Sequence, residues 1–179
     1  NAIFVRPFLQ KKLGAQNLTG DGFYLKSNFH GYGGKSYKCF LHNNKFFLIW
    51  IDQLTNSLWY KILEISFNDD KNTNYLIDIT NSKQLTKPNN CNYDSSFVLN
   101  HKNKLFGLFE KDEKDFLFSI DLNKEKQELI ILREFDGFAS SLGSNEDNTL
   151  LSWIEWKNNM PWENNNLFIG SINSSGQLQ

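Results

Sequence analysis

Short apolar runs rich in Phe, Tyr and Trp recur along the whole chain and are separated by Asn, Asp, Gly and Ser. Apolar runs of about four to eight residues between turn-forming residues are typical of β-strands. No long stretch keeps the apolar period of about 3.6 residues that marks an amphipathic helix. The pattern therefore predicts an all-β protein.

Three segments of the chain resemble one another when their turns are aligned. In each segment an Asn stands shortly before an apolar strand, at Asn44, Asn103 and Asn148. Because Asn tolerates the left-handed backbone that tight turns require, each of these residues is predicted to close a hairpin. The aligned segments are 42–50, 101–109 and 146–153.

Each predicted hairpin lies within a larger unit, because further strand-like runs precede and follow it. Four antiparallel strands per repeat are typical of a propeller blade, so the pattern predicts a partial β-propeller of about three to four blades. The additional predicted strands are 37–41, 96–99 and 139–142 before the turns, 58–62, 116–120 and 167–172 after them, and 75–79 and 128–132 as fourth strands.

The predicted blades divide the chain, which forms one partial propeller over 1–179, into four parts. Residues 1–35 are expected to hold the last two strands of a preceding blade, at 3–6 and 16–18, and a linker. The next parts are a blade at 36–92, a blade at 93–135 and an incomplete blade at 136–179. The first interval between Asn turns is longer than an ordinary blade of about 40 to 45 residues, which predicts inserted loops at Phe67–Asn74 and Ser82–Asn92.

Composition and charge exclude several classes of function. The chain has 179 residues, of which 40% are hydrophobic and 22% charged, as expected of a globular protein. The net charge of -1 provides no basic field for nucleic acid or an anionic membrane surface, so neither is an expected partner. The longest purely apolar run, Phe46–Ile51, is far too short to cross a bilayer.

Cysteine and methionine usage indicate where the chain comes from. Cys39 and Cys91 are too few for a disulfide framework and lack the spacing of a metal site, so we expect unbridged, buried or inert thiols and a cytoplasmic location. Met160 is the sole methionine, and we expect the chain to be part of a longer protein.

Two passages of the sequence resemble the propeller of the prolyl oligopeptidase family of serine peptidases. The stretch 17–19 with Phe29–Tyr37 is similar to the family passage LT…VHEYGGGAY, and Ser152–Glu163 is similar to LAWLEWDHPNMPWD. A looser match joins Phe135–Leu142 to ADFYSSPR, without the Pro and Gly of the turn that follows. Gly31 replaces the usual Glu of the first passage, and the linker from Trp156 to Met160 is one residue shorter than in the second.

The resemblance implies that this chain and the catalytic residues belong to different domains of a longer protein. In that family an N-terminal propeller caps an α/β-hydrolase domain with a Ser-Asp-His triad and restricts access to short peptides. The implied partners are therefore a hydrolase domain of the same parent and short peptides, with no cofactor. This chain holds no G-x-S-x-G nucleophile elbow, so we expect no catalysis by it. The alternative is a stand-alone propeller that serves as a protein-interaction scaffold.

The glycine-rich turn His30–Gly34 is the first candidate site. It lacks the Lys-Ser/Thr ending and the helix of a phosphate-binding loop, so we favour a structural role. Gly33 and Gly34 are expected to allow positive φ or close chain passage, with Tyr32 packed inward. The second candidate, Met160-Pro161-Trp162, would face substrate or a partner domain, or pack between blades. The predicted substrate-side or interface residues are His30, Tyr32, Trp156, Met160 and Trp162, and no catalytic, cofactor or metal residue is predicted.

Other polar groups have simpler interpretations. His42 and His101 stand beside turns and are expected to be solvated, as are the acids Glu146 and Asp147. The run Lys111–Asp115 is interpreted as a charged hairpin tip that keeps a blade edge soluble. An open propeller also leaves strand edges unpaired, so we expect the isolated chain to self-associate through them.

Overall fold

The protein is described by a computed structural model that covers residues 2–5, 15–42, 44–68, 73–78, 80–173 and 176–179. It is all-β and forms a partial β-propeller, as the apolar pattern predicts. The described residues contain one turn of 3-10 helix, Phe29–Gly31, and no helix long and apolar enough to span a membrane.

The N-terminal region forms a two-stranded ribbon and the first large sheet. The ribbon pairs β1 (Phe4–Val5) with β2 (Gln16–Asn17). The first sheet has the order β3-β4-β5-β6, and the short strand β7 also pairs with β5. Its strands are β3 (Tyr37–His42), β4 (Lys45–Asp52), β5 (Ser57–Asn68), β6 (Thr73–Asp78) and β7 (Lys83–Gln84).

The second and third sheets follow in chain order and are also antiparallel. In the second sheet two short strands, β8 (Asn92–Tyr93) and β9 (Val98–Leu99), pair with the same edge of β10, which is followed by β11 and β12. The third sheet has the order β13-β14-β15. The remaining strands are β10 (Lys104–Lys111), β11 (Lys114–Asp121), β12 (Leu129–Glu134), β13 (Phe138–Ser144), β14 (Leu150–Trp156) and β15 (Asn166–Ser171).

The Asn turns have the predicted left-handed backbone. Asn44, Asn103 and Asn148 have φ values of 59°, 57° and 54°. The β10–β11 hairpin turns in the same way through Asp112 and Glu113, at 51° and 61°. Short polar residues with positive φ match the twist of the flanking strands, which is why these hairpins close tightly.

Two strand and loop predictions were wrong. Cross-strand pairing extends β5 to Asn68 and starts β6 at Thr73, so both ends of the loop predicted at Phe67–Asn74 are strand, and 69–72 lie outside the described residues. The predicted strand 96–99 is shorter than expected, since only Val98–Leu99 pairs with β10, and the Ser96 side chain instead accepts a hydrogen bond from Leu142 N in the third sheet at 3.0 Å. The proposed blade limits remain a prediction.

The sheets stack through three apolar cores. One core joins β1–β2 to the first sheet, a second joins the first and second sheets, and a third joins the second and third sheets. Alternate residues of β10 serve different cores: Leu105 and Phe109 face the first sheet, whereas Phe106 and Leu108 face the third. Between them, a side chain at Gly107 would lie 2.6 Å from the Phe118 ring, so glycine permits this close packing.

The thiols are unbridged, as predicted. Cys91 is buried, and burial raises the pKa of its thiol. Cys39 is exposed, so the expectation of burial holds for Cys91 alone.

Candidate functional site

A strained turn positions the first candidate residue, His30. It has left-handed backbone angles, φ 51° and ψ 24°, within the 3-10 turn that follows the linker. The His30 N–H donates to Glu110 Oε2 at 2.5 Å. The turn is closed by Gly33 N–H, which donates to Phe29 O at 3.1 Å. A charged acceptor on β10 thus compensates for the unfavourable backbone of a non-glycine residue.

The His30 ring is held by a buried carboxylate. Its Nε2 lies 2.7 Å from Asp115 Oδ2. The same oxygen accepts a hydrogen bond from Ala139 N–H, also at 2.7 Å. Asp115 is 2% exposed. One carboxylate therefore links the His30 turn, β11 and β13.

This finding corrects the interpretation of Lys111–Asp115 as a charged hairpin tip that keeps a blade edge soluble, because one of its residues is buried. Lys114 is exposed, but Asp115 is the second residue of β11 and lies on the same face as buried Leu117. Asp115 is also the direct cross-strand partner of Glu110. Two facing carboxylates repel each other, and the donors of His30 offset that repulsion.

Aromatic rings surround His30. It stacks on Phe29 with ring centroids 3.8 Å apart, and it meets Phe138 and Trp156 edge-on at 5.3 and 5.5 Å. Phe138 and Trp156 are register partners on β13 and β14, and their rings stack at 5.6 Å. The His30 turn and the third sheet therefore form one aromatic wall.

An open groove of about 1590 Å³ lies beside this wall, lined by residues of the His30 turn and of all three large sheets. Of the five predicted residues, His30, Tyr32, Trp156 and Met160 line it. Trp162 does not, and it is 73% exposed. The structure thus brings four of the five predicted residues to one groove, while their role stays a prediction.

The prediction that Tyr32 packs inward is wrong, because Tyr32 is 81% exposed and Phe29 takes the buried position in the turn. The glycine prediction is confirmed at Gly33. This residue has φ 73°, and a Cβ there would lie 2.6 Å from Ser27 O. A Cβ at Gly34 would meet no atom within 4 Å, so Gly34 has no such requirement.

The remaining polar predictions fall on exposed or partly buried positions. His101, Glu146 and Asp147 are exposed, and His42 is half-buried. Hydrogen bonds from Thr149 lower the pKa of Asp147, which keeps this side chain ionised.

The groove has a cluster with the spacing of metal ligands. Ligand atoms of His30, Glu110 and Asp115 lie within 4.8 Å of one another. They are already hydrogen-bonded, since Glu110 Oε1 also accepts from Asn92 Nδ2 at 2.8 Å. We therefore interpret the cluster as a network that fixes the groove wall. Within the described ranges, no Ser, Thr or Cys side chain hydrogen-bonds to the His30 ring.

The fold and the groove together define a partial β-propeller with an aromatic-walled site at the meeting point of its sheets. No protein-family model matches the sequence, and no curated protein matches it. The fold of this chain is similar to part of a solved structure, that of a puromycin-hydrolyzing peptidase of Mycobacterium tuberculosis. The two structures superimpose with a TM-score of 0.68 and share 15% sequence identity. The match covers 93% of this chain and 26% of the peptidase, and at this identity it shows the fold alone.

Proposed function

We propose that this chain is the non-catalytic propeller portion of a serine peptidase of the prolyl oligopeptidase family. In this proposal it limits the access of peptides to an α/β-hydrolase domain elsewhere in the full-length protein. The free thiols fit a cytoplasmic location for that protein.

The main support for the proposal is that the two passages that resemble the family lie next to each other in the structure. Phe29–Tyr37 and Ser152–Glu163 are far apart in sequence, yet they contribute His30 and Trp156 to one wall, with ring centroids 5.5 Å apart. Residues that resemble the family most closely therefore line the same groove. Such convergence is expected of a working surface and is not required by blade packing alone.

The fold comparison adds support of a coarser kind. The similar structure belongs to a peptidase, and this chain corresponds to 26% of it. A peptidase of that length has ample chain for a separate catalytic domain.

The groove chemistry suits short peptides. Stacked aromatic rings offer apolar contact area at low entropy cost, and the rim supplies both signs of charge through Lys35, Lys38, Glu113 and Glu163. A peptide could lie against the Phe138–Trp156 wall with its termini near the charged rim.

The test begins with the full-length gene, read for a G-x-S-x-G elbow followed by Asp and His. The full-length protein is then assayed with aminoacyl and acylaminoacyl nitroanilides, using a serine-directed inhibitor as the control. We expect Trp156→Ala to raise KM for peptides while kcat for a small nitroanilide changes little. Leu54→Ala, at an exposed turn outside the groove, should leave both unchanged.

A full-length protein without the elbow, or without inhibitor-sensitive hydrolysis, contradicts the proposal. That result would favour the interaction scaffold. Equal effects of Trp156→Ala on peptides and on the small substrate would contradict the gating role alone.

A further inference from the structure

Two lysine side chains line the groove close to each other. Lys35 is exposed just before β3, and Lys38 is half-buried on β3 itself. Burial lowers the pKa of Lys38, the charge of Asp94 opposes that shift, and the charge of Lys35 adds to it. The two ammonium groups therefore repel each other at a position where one of them is partly removed from water.

The pairing of β3 directs Lys38 into the groove. Lys38 is the cross-strand partner of Ile49, so its side chain leaves the first sheet on the face that packs against the second sheet. Its Nζ lies 5.6 Å from the ring centroid of Phe40, which is two residues further along the same face. The ring stabilises the ammonium charge and leaves it facing the groove. Lys38 also lines a neighbouring cavity of about 830 Å³, so it lies where the two spaces adjoin.

The acids of the groove do not neutralise this pair of lysines. Most of them accept hydrogen bonds from donors of the protein itself, namely Asp94, Glu110, Asp115 and Glu163. In the part of the chain that the structure describes, no salt bridge or hydrogen bond joins an acid to the side chain of Lys35 or Lys38. The two ammonium groups are therefore available to an anionic ligand.

The surroundings of the lysines favour a singly charged anion. Five acids line the same groove, which are Asp94, Glu110, Glu113, Asp115 and Glu163. A phosphate group, with a charge near −2, would be repelled by these acids more strongly than a carboxylate. Lysine binds as a point charge and does not require the bidentate geometry of arginine. A carboxylate at the end of a peptide also allows the rest of the peptide to lie along the aromatic wall.

We infer that Lys38, assisted by Lys35, binds the C-terminal carboxylate of short peptides, so that the full-length protein selects peptides with a free C-terminus. The inference rests on the proposed function, in which peptides pass through this groove to a hydrolase domain. A peptide with an amidated C-terminus offers no negative charge to Lys38. A chain that continues past Lys38 offers none there either, which makes the lysine a determinant of peptide length.

The tetrapeptide Ala-Ala-Phe-Ala, as free acid and as C-terminal amide, tests this inference. Both forms are titrated by calorimetry into the full-length protein after treatment with a serine-directed inhibitor, so that neither is cleaved. We expect the acid to bind about tenfold or more tightly than the amide, because hydrogen bonds to charged groups are the stronger ones. Inorganic phosphate is titrated as the competing anion.

Substitutions assign the preference to the lysines. Lys38→Met keeps the unbranched stem and removes the charge, so the ratio of the two affinities should fall to nearly one, whereas Lys38→Arg should keep most of it. Lys35→Gln, at an exposed position, should reduce the ratio by about twofold to fivefold and serves as a second probe if Lys38→Met folds poorly. Lys124→Met, at an exposed position outside the groove, is the control and should leave the ratio unchanged.

Equal affinities for acid and amide, or a preference that survives in Lys38→Met, overturn the inference. Tighter binding of phosphate than of the peptide acid also overturns it and assigns the lysines to a phosphate ligand. Nitroanilide hydrolysis by the untreated protein separates the inference from the proposed function. An active peptidase with equal affinities contradicts the carboxylate site alone. A protein that binds the acid through Lys38 but hydrolyses no substrate contradicts the proposed function alone.

Discussion

His30 and Asp115 lie 85 positions apart in the sequence, yet Nε2 of one is 2.7 Å from Oδ2 of the other. The contact brings a left-handed turn next to a buried carboxylate, which also accepts the N–H of Ala139. It joins the second and third sheets to the loop before the first sheet. The stability of this region therefore depends on one acid.

Replacing Asp115 should weaken the fold. Asp115→Ala removes the acceptor of the Ala139 N–H and of the His30 ring, so we expect the free energy of unfolding to fall by about 2–4 kcal/mol. Asp115→Asn keeps one acceptor oxygen and should cost less. Urea denaturation followed by circular dichroism measures both. Glu125→Ala, at an exposed position, is the control. If Asp115→Ala lowers the free energy of unfolding no more than this control does, the bridging role of Asp115 is contradicted.

A pair of neighbouring glycines provides a backbone test. Gly33→Ala forces a Cβ to within 2.6 Å of Ser27 O at φ 73°, so we expect a loss of more than about 1 kcal/mol in the free energy of unfolding. The Cβ introduced by Gly34→Ala would meet no atom within 4 Å, so this variant should lower the free energy of unfolding by only a few tenths of the loss expected for Gly33→Ala. Thermal melts of the two variants provide the comparison, and similar midpoints would show that the turn tolerates rearrangement.

Alkaline pH should destabilise the protein partly through Tyr93. Desolvation raises the pKa of its phenol to about 12, against about 10 in an unfolded chain. Between these values the folded state binds more protons than the unfolded state, so stability is complete below pH 10 and falls as pH rises towards 12. The contribution lost is on the order of 2–3 kcal/mol.

The Tyr93→Phe variant isolates this contribution. It lacks the phenol, so its free energy of unfolding should fall less steeply between pH 10 and 12, although the lost Asn89 hydrogen bond lowers its stability at pH 7. Burial also raises the pKa of Tyr60, and its effect cancels between the two proteins. The Cys91 thiol hydrogen-bonds to Tyr93, so both proteins are compared in a Cys91→Ser background. Parallel pH curves for wild type and variant would refute the assignment.

The isolated 179-residue chain should self-associate, because one face of β15 and the part of its outer edge before Ser171 remain uncovered by its described residues. We expect light scattering to show a mass that rises with concentration. Ile169→Lys should reduce this rise by placing a charge on the face, whereas Leu54→Lys, on an exposed turn, should not. A monomer at high concentration, or identical behaviour of both variants, contradicts the prediction.

Local signals predicted the hairpins, and long-range contacts escaped prediction. The left-handed backbone conformation is favoured by the turn residues themselves, which are Asn44, Asn103 and Asn148. These residues, together with the apolar runs beside them, were therefore sufficient to predict the turns. Asp115 was misinterpreted because it ends a charged run. The available signal was its two-residue spacing from Leu117, which puts the carboxylate on a buried face of β11.

The glycine-rich turn was identified by its residues, but its orientation was not. Tyr32 was expected inside because aromatic residues favour burial, whereas Phe29 already fills that position in the turn. The convergence of His30 and Trp156 depends on how the sheets stack, which no local pattern encodes. The family resemblance supplied those two residues as candidates, and the structure supplied their contact.

The shared oxygen of Asp115 has a mechanical consequence. Oδ2 holds the His30 turn on one side and β13 on the other, each at 2.7 Å. Hydrogen-bond lengths vary by only tenths of an ångström, while apolar sheet contacts can slide. The spacing between the His30 turn and β13, which belong to the same aromatic wall, is therefore set by two hydrogen-bond lengths. This side of the groove therefore behaves as one rigid body, so a displacement of the His30 turn would be passed directly to β13.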